Sequence, residues 1–201
     1  VSLLGNSTFE KMQQLEFLSL VASGAGAIGI QRPIMCNGAN LVFEKQIYVD
    51  LSEVLDEKYA SGDDIFLLLA AKKEYRHRIS FLKNQNAIVL TPAIRSLSPF
   101  VEQRKRWISK TKGYKDIDII FVSLTVLITN LILAGTFIFA LFSPSNIQFF
   151  LVAFVVKSIP DMLLLHEITS FTNKKKLLWY FLPLQIIYAV YIVYTVFSGI
   201  F

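Results

Sequence analysis

The chain has 201 residues, 54% of them hydrophobic, and a formal net charge of +5. That length allows one or two domains, and a single cysteine, Cys36, excludes an internal disulfide framework. The apolar residues are unevenly spread: 119–142 and 177–201 contain no charged residue, while 1–115 carries most of the charge. Each uncharged run exceeds the roughly 20 residues that cross a hydrocarbon core of about 30 Å. The pattern predicts an integral membrane protein with a water-facing N-terminal part. Residues 1–5 are too short an apolar run for a signal peptide. There is no internal repeat, no low-complexity stretch and no Cys/His cluster with zinc spacing. His77 and His166 are far apart and read as surface or interface residues rather than ligands.

In chain order, Ser7-Thr8-Phe9-Glu10 reads as a capping box that opens a helix over 8–21, with Ser23-Gly24-Ala25-Gly26 as its stop. Cys36-Asn37-Gly38-Ala39-Asn40 then leads into Leu41-Val42-Phe43, residues that favour a strand. Asn37-Gly38 marks a tight turn, and small residues there let a ligand approach the backbone; the plainer reading is only a loop turn. Lys45–Leu55 has a mixed helical pattern. Asp63-Asp64 precedes the apolar run Ile65–Ala71. The pair caps a helix start in the plain reading, and supplies a general base at the mouth of a cleft in the functional one. Two adjacent acids alone make a poor metal cage. Lys72–Arg78 is the basic end of that helix. Residues 79–82 and 87–90 read as short strands, the second broken by Thr91-Pro92. Alternating helices and strands favour an α/β arrangement.

Ser98 and Pro99 are start signals for a further helix. On it Gln103, Arg106 and Trp107 stand at i, i+3 and i+4 and share a face. A guanidinium pairs with phosphate, an indole stacks on a sugar, and an amide fixes orientation. The plainer reading is a basic helix lying on anionic lipid. Lys110, Lys112 and Lys115 follow, which places the water-facing part on the cytoplasmic side of the first span. Residues 147–165 are long enough to span but contain Lys157 and Asp161, four apart and able to pair. They are a buried ion pair between helices, part of a helix resting at the interface, or the lining of a path for a charged acceptor head group. Lys174-Lys175-Lys176 belongs to the cytoplasmic side again, before the last span.

Three features fall in a fixed order: a small-residue turn, an acidic pair before an apolar helix, and Gln-x-x-Arg-Trp before a span. In this the chain resembles the C-terminal half of membrane-bound family 2 glycosyltransferases of the cellulose, chitin and hyaluronan synthase type. Gln103-Arg104-Lys105-Arg106-Trp107 matches the Gln-x-x-Arg-Trp motif. Gly62-Asp63-Asp64-Ile65-Phe66-Leu67 is similar to Thr-Glu-Asp-x-x-Leu, with Asp63 one methylene shorter than the family's Glu. Residues 37–45 resemble the segment that lines the acceptor site.

The resemblance implies a partial GT-A-like α/β domain over 1–116, with an interfacial helix at 98–112. A transmembrane region over 117–201 follows, with spans near 119–142, 147–165 and 177–201. It implies an inverting transfer in which Asp64 takes the proton of an acceptor hydroxyl. Asp63, Gln103, Arg106, Trp107 and the Asn37, Gly38, Ala39 and Asn40 turn bind substrate; the acceptor path along Lys157 and Asp161 is no part of the resemblance and rests on their charge within a span. The expected partners are a nucleotide-sugar donor, a lipid-linked or polysaccharide acceptor and membrane lipids, and no nucleic acid. A divalent metal, Mg or Mn, is implied too. Its ligands belong to a donor-binding half with an Asp-x-Asp, expected upstream of Val1 rather than in this chain. Three spans point to one or few additions per acceptor, with a homo-oligomer left open. The expected location is an inner or plasma membrane. The rival reading is a non-catalytic membrane subunit or scaffold.

Overall fold

A computed structural model describes residues 1–51, 63–109 and 113–200. Gly62, Lys110, Lys112 and the C-terminal part of the helix expected over 45–55 lie outside the described residues. The described chain is mostly helical. Strand β1 (Ser2–Leu4) leads to helices α1 (Thr8–Gly29), α2 (Lys45–Leu51) and α3 (Asp63–Glu74). Strand β2 (Leu90–Pro92) is followed by α4 (Leu97–Ser109), α5 (Ile117–Phe142), α6 (Ile147–Phe171) and α7 (Phe181–Ile200).

Helix α1 begins on the expected capping box. Ser7 Oγ accepts from the Glu10 amide at 3.2 Å, and Glu10 Oε2 accepts from the Ser7 amide at 2.9 Å. The helix does not stop at Ser23–Gly26; it runs on to Gly29. Each interior glycine costs roughly 1 kcal/mol of helix propensity, but packing offsets this. A Cβ on Gly24 would lie 2.9 Å from Met35 Cγ, so the glycine lets the returning chain lie against the helix. The true stop is Gln31, which takes a left-handed φ of 61° two residues before Pro33.

The strands differ from expectation. Residues 41–43 and 79–82 form no strand, and the strand expected over 87–90 falls instead at Leu90–Pro92. There it pairs in parallel with β1, Ser2 opposite Leu90 and Leu4 opposite Pro92. Pairing with a distant segment, rather than local propensity, decides which residues extend. The α/β character among the described residues is confined to this two-stranded sheet.

Helix α1 organises the core. Leu15, Leu18 and Ala22 pack against Leu165 and Ile168 of α6 and against Leu177 and Phe181 at the entry to α7. Burying each leucine contributes about 1.5–3 kcal/mol. Three polar residues of the same helix are also buried, and each has a partner, as burial of polar groups requires. Gln13 donates to the Ile94 carbonyl at 2.7 Å and accepts from the Ile94 amide at 3.2 Å. Gln14 donates to the Gly5 carbonyl at 2.8 Å. Glu16 meets Arg104.

Three helices are long and apolar enough to cross a membrane, at Ile117–Phe142, Pro144–Phe171 and Lys175–Val196. The first starts on Asp116, whose side chain accepts from the amides of Asp118 and Ile119. Phe121, Leu124, Ile128, Ile132 and Phe139 of α5 stand exposed, a surface suited to lipid. Thr125, Thr129 and Thr136 each donate to the carbonyl four residues back, so these three hydroxyls are satisfied within the span. Helix α6 runs six residues beyond the expected end at 165, to Phe171. That extra length packs on α1 instead of lying in lipid.

Candidate functional site

Asp64 stands in the first turn of α3, where its Oδ1 accepts from the Ile65 amide at 2.9 Å. Its Oδ2 accepts from the backbone amide of Gly38 at 2.9 Å. The acidic pair and the small-residue turn, 26 residues apart in sequence, therefore meet. The turn is held from within: Asn37 Oδ1 accepts from the Ala39 amide at 3.0 Å, and the Asn37 carbonyl accepts from the Asn40 amide at 2.9 Å. Asn40 anchors it outward by donating to the Ala87 carbonyl at 2.8 Å. A Cβ on Gly38 would lie 3.1 Å from Asp64 Oδ2, so the approach depends on glycine. Asp63, beside it, is exposed.

Two further groups line this site. The Cys36 thiol donates to the Asp64 carbonyl at 3.2 Å; burial, and secondly the Asp64 charge, push its pKa up to about 12. Tyr114 sets its ring edge against Phe66 at 5.6 Å. Burial first, then the charges of Asp64 and Cys36, raise its hydroxyl to about 12. Both groups stay protonated at neutral pH. Each carboxylate oxygen has a second lone pair to offer an incoming hydroxyl.

The far end of α3 is fastened. Lys72, 9% exposed, lies 2.8 Å from Asp116 and 2.7 Å from Asp118, and Arg32 lies 2.7 Å from Asp118. The helix that bears Asp64 is thus bolted to the start of the first span.

Gln103 and Trp107 belong to a second group. Arg104 is buried between the rings of Phe100 and Trp107, 4.7 and 4.1 Å from their centroids. Its guanidinium pairs with Glu16 at 2.7 Å and donates to Gln103 Oε1 at 3.1 Å. Tyr191 of α7 donates to Glu16 at 3.2 Å. Arg106 is exposed. Sequence reasoning placed the ligand-facing group on Gln103, Arg106 and Trp107 and passed over Arg104 and Glu16. The signal for Arg104 was present: Phe100, Arg104 and Trp107 stand at i, i+4 and i+7, one helical stripe.

Within the spans, Lys157 and Asp161 pair at 2.7 Å, as their spacing predicts. Gln185 of α7 joins them, donating to Asp161 at 2.7 Å and accepting from Lys157. Lys157 lies 5.6 Å from the Tyr188 ring, which in turn contacts the Tyr191 ring at 5.7 Å. The two polar groups are therefore linked along α7. Among the described residues no three His, Cys, Asp or Glu side chains gather to hold a metal ion. The described residues do not fit the implied divalent ion.

No protein-family model, curated protein or solved structure matches this chain.

Proposed function

We propose that the chain is the acceptor-side and membrane part of an inverting glycosyltransferase that moves a sugar from a nucleotide-sugar to a lipid-linked or saccharide acceptor. The observation that carries this reading is the junction of Asp64 with Gly38. A carboxylate held by backbone amides at the edge of a tight turn is fixed in position, which suits the role of a general base. The motif order supports it as well: the acid lies ahead of Gln103, Arg106 and Trp107, which lie ahead of the first span.

In this reading the acceptor hydroxyl gives its proton to Asp64 as its oxygen attacks the anomeric carbon. The glycosidic bond forms on the opposite face as the bond to the diphosphate breaks, which inverts the centre. Arg106, exposed on α4, is the cation available to the departing diphosphate. The indole of Trp107, partly buried against Leu3, Phe17 and Ala93 and covered on one side by Arg104, would meet the acceptor sugar with its remaining surface. The soluble part faces the cytoplasm, with Lys115 and the 174–176 lysines on that side of the membrane.

The test is transfer from labelled nucleotide-sugars by membranes carrying the full-length protein. Asp64→Asn is expected to lose about 10²–10⁴ in rate with expression and insertion unchanged. If Asp64→Asn transfers as the parent does, the base assignment fails. If neither protein transfers any sugar, the non-catalytic subunit takes its place.

A further inference from the structure

The pairing of Glu16 with Arg104 joins residues 88 apart in sequence, and both side chains are 5% exposed. A buried ion pair is an expensive way to hold two helices together, because desolvation consumes most of the attraction. Apolar side chains of similar volume would join α1 to α4 at less cost. The arrangement around Arg104 suggests what the charge adds. The guanidinium has one carboxylate, Glu16, one amide, Gln103, and two aromatic faces, Phe100 and Trp107. Its Nε has no hydrogen-bond partner among the described residues, while Glu16 and Gln103 hold its two terminal nitrogens, Glu16 at the shorter distance. Trp107 packs against Leu3, Phe17 and Ala93, and the guanidinium 4.1 Å from the indole centroid adds a directional constraint on its tilt, since the attraction depends on facing the ring quadrupole. Glu16 is itself held from a third side by Tyr191. The carboxylate therefore references the indole to both α1 and a spanning helix.

We propose that Glu16 is a positioning residue for Trp107: through Arg104 it sets the orientation of the indole, and with it the seat of the acceptor sugar. The clause on the sugar rests on the glycosyl-transfer reading above; the clause on the indole does not. In this assignment the two arginines of the motif divide the work. Arg104 is neutralised and internal, while Arg106 remains free for phosphate.

The experiment uses the full-length protein in nanodiscs, labelled with 5-fluorotryptophan, with the Trp107 resonance assigned by Trp107→Phe. Glu16→Gln is expected to move the Trp107 ¹⁹F resonance. It should also raise the acceptor KM about tenfold with kcat little changed, the mark of lost binding rather than lost chemistry. Glu16→Asp is expected to restore most of both. Where Glu16→Gln does not insert, Glu16→Gln with Arg104→Gln is compared with Arg104→Gln alone: the two resonances are expected to coincide, since Glu16 acts through Arg104, and a further shift overturns the proposal. An unmoved Trp107 resonance overturns the proposal, whatever happens to melting temperature. An unchanged acceptor KM, in an enzyme that Asp64→Asn silences, overturns the clause on the sugar. A moved resonance in a protein with no transfer activity supports the positioning role, and the failure is then that of the glycosyl-transfer reading.

Discussion

The Gly38 amide donates to Asp64 Oδ2 at 2.9 Å, and a Cβ on that glycine would come within 3.1 Å of the same oxygen. The hydrogen bond and the bare Cα are two sides of one close approach. Gly38→Ala asks the carboxylate to move by a few tenths of an ångström, and Gly38→Val asks for more. On the proposed mechanism, Gly38→Val is expected to lower kcat about 10²-fold, in line with a displacement approaching 1 Å. Gly38→Ala should lose less than about tenfold. Steady-state transfer by the two variants checks the order, and equal activity would separate Asp64 placement from the turn.

Cys36 provides a pH-dependent probe of the same site. Burial first and the Asp64 charge second disfavour its thiolate, so its pKa lies near 12 rather than at the ordinary value of 9.0. Iodoacetamide should therefore label it slowly at pH 8 and progressively faster as the pH rises toward 12. Asp64→Asn removes the negative neighbour, lowers the thiol pKa and speeds labelling at a fixed pH, leaving the burial contribution in place. Intact-mass spectrometry over a pH series reads both.

Lys72→Met leaves Asp116 and Asp118 without their shared cation. Hydrogen bonds to charged groups contribute about 1.5–3 kcal/mol each, so a loss of that order is expected in thermal or denaturant unfolding. Arg32→Ala, at an exposed side chain on the rim of the same cluster, should cost well under about 1 kcal/mol.

Lys157, Asp161 and Gln185 form one hydrogen-bonded unit between α6 and α7. Lys157→Met leaves the Asp161 carboxylate with Gln185 but without its cation, and is expected to destabilise the helix pair by about 1–2 kcal/mol. Adding Asp161→Leu should recover part of that loss, since an apolar pair leaves no unpaired charge. The double-mutant cycle in detergent unfolding gives the coupling. Transfer unchanged in both Lys157→Ala and Asp161→Asn would end the reading of this pair as an acceptor path.

Much of this architecture was legible in local patterns, and the rest depended on partners far along the chain. The Ser7–Glu10 box and the first span, whose observed start at Ile117 is two residues before the uncharged run, need only neighbours to specify them. The turn at Asn37–Asn40 and the acidic helix start at Asp63 were likewise readable; their meeting was not. Strand β1 is three residues long, too short for any periodicity, and it exists because Leu90–Pro92 lies beside it. The run Gln13-Gln14-Leu15-Glu16-Phe17-Leu18 is buried on every side, so a polar face expected from helical period is absent. Glu16 reads as a solvent residue until Arg104, 88 positions away, is placed against it. Ser23–Gly26 looks like a stop because a glycine's value in packing against Met35 cannot be seen from composition.

The fastening of Lys72 to the start of α5 turns α3 into a lever. Asp64 lies eight residues from the anchor, about 12 Å along the helix axis. Over that arm a tilt of about 5° carries the carboxylate through about 1 Å, a distance that matters to proton transfer. Changes at Asp116 or Asp118, at the far end of that arm, should therefore register at the carboxylate as a change of aim.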